Sequence, residues 1–405
     1  MSKTIRLTAA QAMMKWLSVQ MTPAASSGEA IGEQKLERYI DGMWAIFGHG
    51  NVAGIGEALH AHRDVFPTWR GQNEQTMAHA AIAYAKGKKR SRAMAVTASI
   101  GPGSTNLVTA AALAHVNRLP VLIVAGDVFA NRRPDPVLQQ VEDFDDGTVS
   151  ANDCLRPVSR YFDRITRPEH LLTALPRALR VMTDPANCGP ATLAFCQDVQ
   201  AEAYDYPEAF FEPRVWHVRR PAPDARELDA VAGLIKAAKR PVIVAGGGVI
   251  YSQAEQTLAE FATKHGIPVV ETQAGKSALA QSHPMSFGAS GVDGSAAANT
   301  ATAGADLVIG VGTRLQDFTT GSRTLFGDTA QLVSINTHGY DAAKHGAVSL
   351  VADAKVALEA LSDAIGEYKA SAFDAAARAD WLRAVDVYCA RPDDQAAKPT
   401  DAQVI

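Results

Sequence analysis

The feature that most limits the possible folds is a unit that recurs along the chain: a short, continuously apolar run, a glycine-bearing turn, then an alanine-rich stretch of helical character. Trp44-Ala45-Ile46-Phe47 leads into Gly48-His49-Gly50-Asn51, and Ala93-Met94-Ala95-Val96-Thr97 leads into Gly101-Pro102-Gly103. Pro120-Val121-Leu122-Ile123-Val124-Ala125 runs into Gly126-Asp127, and Pro241-Val242-Ile243-Val244-Ala245 into Gly246-Gly247-Gly248. Asp306-Leu307-Val308-Ile309-Gly310-Val311-Gly312 and Gln331-Leu332-Val333-Ser334-Ile335 repeat the theme. A half-buried strand alternates apolar and polar residues; these runs have no polar face, so both sides must be covered. Strands joined by helices and buried on both faces form parallel sheets. The expected class is α/β, built from Rossmann-like, doubly wound parallel sheets. Ligands in such sheets bind beyond the carboxyl ends of the strands, so the glycine turns are where chemistry should be sought.

A chain of 405 residues exceeds what one compact core organises, which predicts two domains. The first spans residues 1–203 and closes near Gly189-Pro190-Ala191-Thr192-Leu193-Ala194-Phe195, a buried strand. Residues 204–223 carry Pro207, Pro213, Pro221 and Pro223 with Arg219-Arg220 between them, the composition of a linker. The second domain covers 224–368, and residues 369–405 read as a linker and the start of a further element. Thr8-Ala9-Ala10-Gln11 has the form of a capping box that opens a helix through Leu17, while Pro23–Glu33 reads as a loop.

Charge excludes some classes. The net charge is −4 with both signs spread along the chain, which gives neither a nucleic-acid footprint nor a polybasic membrane patch. The N-terminus lacks an apolar signal core, and no stretch is long enough to span a bilayer, so the expected location is cytoplasmic. The 4 cysteines (Cys154, Cys188, Cys196, Cys389) have no metal-site spacing and read as buried, inert thiols.

Four segments carry candidate chemistry. Glu74, in Arg70-Gly71-Gln72-Asn73-Glu74-Gln75, opens a helix whose alanines recur at helical spacing and let a neighbour approach closely. It either stabilises the helix dipole, worth about 0.3–1 kcal/mol, or serves as a buried acid among apolar helix residues. Ser99-Ile100-Gly101-Pro102-Gly103-Ser104-Thr105-Asn106 makes either a tight turn in which backbone approaches a flat ring or an ordinary strand–helix turn, with Thr105 and Asn106 placed to cap the next helix. His49, between Gly48 and Gly50, stands exposed at a strand tip, as an acid or base near neutral pH or as a structural imidazole. Gln139 and Gln140 follow a proline-bearing loop within reach of the same crevice, although Gln140 reads equally well as a solvated amide. Gly246-Gly247-Gly248 lacks dinucleotide spacing, and a tight turn explains it as well.

Together, Phe47-Gly48-His49-Gly50-Asn51-Val52, Gly71-Gln72-Asn73-Glu74-Gln75, Ala80-Ala81-Ile82-Ala83-Tyr84-Ala85 and Asp135-Pro136-Val137-Leu138-Gln139-Gln140 resemble the thiamine diphosphate enzymes. Within that family they are most similar to the branch that hydrolyses a cyclic polyhydroxylated dione in myo-inositol catabolism. Acetolactate synthases carry other residues at Asn73 and in the His49 loop. The likeness extends over essentially the whole chain and implies a pyrimidine-binding domain followed by a central domain. It implies that Glu74 activates the cofactor, that His49 supplies a proton to the substrate or polarises it, and that Gln139 positions it. Gly48, Gly50, Asn51, Gly101, Pro102, Gly103 and Asn106 are the implied cofactor contacts.

The family's third, diphosphate-binding domain holds Mg²⁺ through a Gly-Asp-Gly motif and a downstream Asn. Gly291-Val292-Asp293-Gly294 and Asp145-Asp146-Gly147 lack that context. The resemblance therefore implies a chain without that domain and without metal ligands of its own, inactive and prone to self-association when alone. It also implies a homodimer or homotetramer, since a second subunit completes the cofactor site. Some relatives hold FAD in the central domain, and the resemblance does not call for it here. The competing readings are an acetolactate-synthase-like carboligase and a non-catalytic two-domain remnant.

Overall fold

The computed structural model describes residues 3–24, 35–131, 133, 136–371, 373, 375–390, 398 and 401, and divides into two compact units, Met1–Arg219 and Arg220–Ile405. The division falls inside the stretch whose prolines predict a linker.

The first unit is built on a six-stranded sheet in the spatial order Thr68–Arg70, Ile40–Ala45, Ala93–Ala98, Val121–Asp127, Pro190–Cys196, Tyr161–Ile165. Every pairing in it is parallel. Every residue of Ala93–Ala98 and Val121–Asp127 is buried, as a strand covered on both faces requires. The helix Glu74–Gly87 packs on Ala93–Ala98 and turns Met77, Ala78, Ala81, Ile82 and Ala85 inward, spaced one helical turn apart. Asn73 caps it by accepting a hydrogen bond from Thr76 N–H at 3.0 Å. The predicted capping box is present, with Thr8 and Gln11 bonding reciprocally at the start of Ala9–Ser18.

Chain order matters more than strand count. From Ile40–Ala45 the chain moves outward to Thr68–Arg70, then returns to the other side of Ile40–Ala45 and continues in the opposite direction. Connections therefore diverge between Ile40–Ala45 and Ala93–Ala98, which opens a crevice beyond their carboxyl ends. The His49 loop and the Gly101 turn both emerge there.

The second unit repeats the plan with strands Ser286–Ala289, Val269–Glu271, Pro241–Ala245, Leu307–Val311, Gln331–Asn336 and Val348–Val351, again all parallel. At its divergence point, between Pro241–Ala245 and Leu307–Val311, two glycine turns lie on each other. A Cβ at Gly248 would stand 2.5 Å from Gly312 Cα. That backbone packing accounts for the triple glycine without a ligand.

Several local expectations are corrected. Residues 204–223 are not a bare linker, because Ala203–Pro207 pairs antiparallel with Thr4–Thr8. Its Tyr206 is buried and donates its hydroxyl to Pro168 O, so aromatic burial outweighs the proline signal. Residues 369–405 contain a helix, Ala375–Cys389. Pro23 ends a strand, Gln20–Pro23, and the rest of the predicted loop, residues 25–33, lies outside the described residues. Cys188 and Cys196 are buried, but Cys154 and Cys389 are exposed.

Candidate active site

Two turns build the crevice wall. The loop after Ile40–Ala45 is fixed by Asn51, whose Oδ1 accepts Gly48 N–H at 2.9 Å. Its Nδ2 donates to Ile46 O at 3.0 Å and to Thr97 Oγ1 at 3.2 Å. Gly50 N–H donates to Ser99 Oγ at 3.1 Å, which joins this loop to the octapeptide. Asn51 is 1% exposed with both ends of its amide committed. It lies beneath the crevice as a brace and not on its wall.

The octapeptide turns sharply at Gly101, where φ is +67° and ψ is −123°. A Cβ there would stand 2.1 Å from Gln139 O, so the position needs glycine twice over, for its backbone angles and for the close approach of a second loop. Ser104 Oγ donates to Ser99 O at 2.6 Å and closes the turn. Thr105 and Asn106 do not cap the following helix, Val108–Asn117, which has no side-chain cap. Thr105 bonds back to Pro102 O, and Asn106 reaches across to Glu74.

Glu74 is half-buried at the crevice wall. The expectation of burial among apolar helix residues is corrected: as the first residue of its helix, Glu74 projects past the apolar face and meets a polar partner. Its Oε2 accepts Asn106 Nδ2–H at 2.7 Å. The resulting cleft, about 700 Å³, gathers Gly48, Glu74, Pro102, Gly103, Asn106 and Gln139, with Ile46, Phe47 and Ile100 as its apolar wall.

His49 stands at the edge of this cleft, partly buried rather than exposed. Its Nε2 lies 2.6 Å from Leu138 O. A carbonyl can only accept, so Nε2 carries the hydrogen, and in the neutral ring Nδ1 is the free acceptor. Gln139, the next residue, has a left-handed φ of 59° and turns its carbonyl onto Gly101. Gln140 folds back on its own loop, where its Oε1 accepts Val137 N–H at 3.1 Å. Asp135 of the same motif lies outside the described residues.

The loop that carries Gln139 is clamped at both ends by residues that motif reading missed. Asp198 accepts Ala130 N–H at 2.9 Å and Asn131 Nδ2–H at 3.1 Å where the loop leaves the sheet. Where it returns, Asp127 is 1% exposed and accepts Ser150 Oγ–H at 2.7 Å and Arg164 Nε–H at 2.8 Å. Arg164 also donates to Asp153 at 3.0 Å. Burial would raise the Asp153 carboxyl, but Ser150 N–H and the guanidiniums of Arg156 and Arg164 outweigh it and hold its pKa below the usual carboxylate value. The available signal was an Asp ending an otherwise apolar strand, which needs a cation within reach.

Residues 37–146 match the thiamine pyrophosphate enzyme N-terminal TPP binding domain, and residues 228–361 match the thiamine pyrophosphate enzyme central domain. The chain belongs to the thiamine pyrophosphate enzymes, of which it carries these two domains. It is similar to proteins named 3D-(3,5/4)-trihydroxycyclohexane-1,2-dione hydrolase. In Geobacillus thermodenitrificans the identity is 48% over 389 residues, covering 95% of this chain and 59% of the relative. In Bacillus licheniformis it is 49% over 370 residues, covering 91% of this chain and 57% of the relative. The chain thus spans less than two thirds of the length of these relatives. The whole cleft lies in the N-terminal unit, and every residue lining it falls within the matched span 37–146.

Proposed function

We propose that this cleft receives the aminopyrimidine ring of thiamine diphosphate. In this reading the chain serves hydrolytic carbon–carbon cleavage of a cyclic polyhydroxylated 1,2-dione, opening it to 5-deoxy-glucuronate in myo-inositol catabolism. The observation that carries it is the Glu74 carboxyl on the wall of a cleft that also takes in Pro102 and Gly103, with Oε1 beside Gly103 and Oε2 held by Asn106. A flat ring fits between a tight backbone turn and the apolar side chains Ile46, Phe47 and Ile100, with one carboxyl available to a ring nitrogen. When bound, thiamine diphosphate supplies a nucleophilic carbon and an electron sink for the bond that breaks.

The chain's own residues then divide the work. Glu74 exchanges a proton with the ring nitrogen it meets. His49, with Nε2–H given to Leu138 O, has Nδ1 free to take a proton from the water that adds to the dione. Gln139 offers an amide to the substrate hydroxyls. Among the described residues no three His, Cys, Asp or Glu side chains stand together as metal ligands, and no step is assigned to Mg²⁺. The reading does not call for FAD in the second unit. A second copy of the chain as partner is supported by Leu113 and Val116, exposed on one helix, and Phe144, which is 94% exposed on the clamped loop. No helix among the described residues is long and apolar enough to cross a membrane.

The test joins this chain to the part of the Geobacillus thermodenitrificans relative that it does not match. The fusion should hydrolyse the dione, and Glu74→Gln should abolish hydrolysis and C2 proton exchange of bound thiamine diphosphate. Exchange in the variant within about tenfold of wild type, or roughly 1.4 kcal/mol of barrier, defeats the Glu74 assignment. Turnover of pyruvate in place of the dione would favour the carboligase reading.

A further inference from the structure

Asn106 and Glu74 lie 32 residues apart, on the octapeptide turn and on a helix start, and their side chains meet at 2.7 Å. An amide N–H donates and never accepts, so the Glu74 oxygen it faces, Oε2, is the acceptor whatever the charge of the carboxyl. Because the carbonyl oxygen of a carboxyl accepts better than its hydroxyl oxygen, a protonated Glu74 then favours its hydrogen on Oε1. That oxygen lies over the turn, where a Cβ at Gly103 would stand only 3.3 Å from it. Asn106 is itself anchored, since its backbone N–H donates to Pro102 O at 3.1 Å.

We propose that Asn106 is a positioning residue that fixes the Glu74 carboxyl by Oε2 and thereby assigns the exchangeable proton to Oε1. The residue type follows. Leu at this position would leave the carboxyl free to turn about its last torsion, and Asp would set a second acceptor against the first. Gly103, by lacking a side chain, keeps Oε1 open toward the cleft. Asn106 thus acts on a bound ring through Glu74 and not by its own contact with it. This inference rests on the reading of the cleft as an aminopyrimidine site, and two measurements separate their failures.

The first needs no ligand. In the 405-residue protein with carbon-13 in its glutamate carboxyls, the infrared band lost in Glu74→Gln identifies Glu74. Asn106→Leu should shift that band, because a carboxylate that loses a 2.7 Å donor changes the splitting of its two stretches. An unmoved band overturns the inference. The second measurement titrates 4-amino-5-hydroxymethyl-2-methylpyrimidine into wild type, Asn106→Leu, Glu74→Gln and the double variant, followed by NMR. Asn106→Leu should weaken binding about tenfold alone and less than about twofold in the Glu74→Gln background. Equal losses in both backgrounds would make Asn106 an independent contact and overturn the positioning role. If Glu74→Gln binds the probe as wild type does, the site reading fails, while the infrared shift still decides the Asn106–Glu74 link. Should Asn106→Leu not fold, Asn106→Ser, too short to reach Oε2, gives the same readouts.

Discussion

Arg164→Met is the most informative perturbation of the cleft's support. The substitution keeps the length of the aliphatic stem and removes the guanidinium. Asp127 then stays at 1% exposure with its Oδ2 deprived of a 2.8 Å donor, while Ser150 and Val128 N–H still serve Oδ1 at 2.7 and 2.9 Å. Breaking a buried ion pair by removing one partner costs about 3–5 kcal/mol. Arg164 is 20% exposed and Asp127 keeps two hydrogen bonds, so the lower end, about 3 kcal/mol, applies. For a unit the size of Met1–Arg219, with a urea slope of about 2–3 kcal/mol/M, the midpoint should fall by about 1–1.5 M. The double variant Asp127→Asn with Arg164→Met removes both charges and should recover at least half of the loss. Urea unfolding followed by circular dichroism reads both numbers. A midpoint shift of less than about 0.3 M in the single variant would refute the claim that this pair holds the loop's return to the sheet.

Three further outcomes follow from the same geometry. Gly101→Ala should cost about 1–3 kcal/mol from its left-handed backbone alone, and should displace the Gln139 loop, read as a lower melting temperature and faster proteolysis within residues 136–149. His49→Ala should lower dione turnover in the fusion without weakening aminopyrimidine binding, and a comparable loss of binding would make His49 a support for the loop. Because Asp153 is held below its unfolded pKa, its contribution is fully present above that unfolded value, near 4, and is lost as pH falls through the folded pKa. The stability difference between wild type and Asp153→Asn should therefore be constant above about pH 5 and shrink below about pH 4.

The sheets were legible because burial on both faces leaves no choice of residue. Ala93–Ala98 and Val121–Asp127 are buried throughout, and a continuous apolar run between glycine turns announces such a strand. Edge strands were not legible: Tyr161–Ile165 is mixed in character and partly exposed, and Thr68–Arg70 is three residues long. The site was legible as segments and not as contacts. Gly48, Glu74, Gly103 and Gln139 do meet in one cleft, yet nothing local to Asn106 tells whether its amide caps its own helix or crosses to another. Asn51 shows the converse, since a polar residue in a crevice motif spent all its bonds on holding the motif together. Asp198 and Arg164 lie outside every motif because their task is to hold a loop's ends, which depends on folded proximity alone.

The two sheets are both six-stranded, and their divergence points can be compared directly. In the second unit, Gly246–Gly248 and Gly312 meet backbone to backbone, and Asn336 Nδ2 ties the neighbouring Thr313 O at 3.0 Å, so the strand ends are sealed by their own turns. In the first, the turns also meet, since a Cβ at Gly50 would stand 2.7 Å from Ile100 N, and they are tied by Asn51 to Thr97 and by Gly50 N–H to Ser99 Oγ, but a cleft opens beside that contact. Into that cleft the helix start projects Glu74, and the clamped loop brings Gln139. Replacing Asn51 with Leu should therefore act on the cleft without touching it. The two ties at 3.0 and 3.2 Å from its Nδ2 would be lost with the Gly48 bond, at about 1–3 kcal/mol for the buried partners left unpaired. Aminopyrimidine binding should weaken in proportion to the added amide exchange of Gly48 and Gly50. Binding that stays at wild-type strength while those amides exchange freely would show that the wall does not depend on its brace.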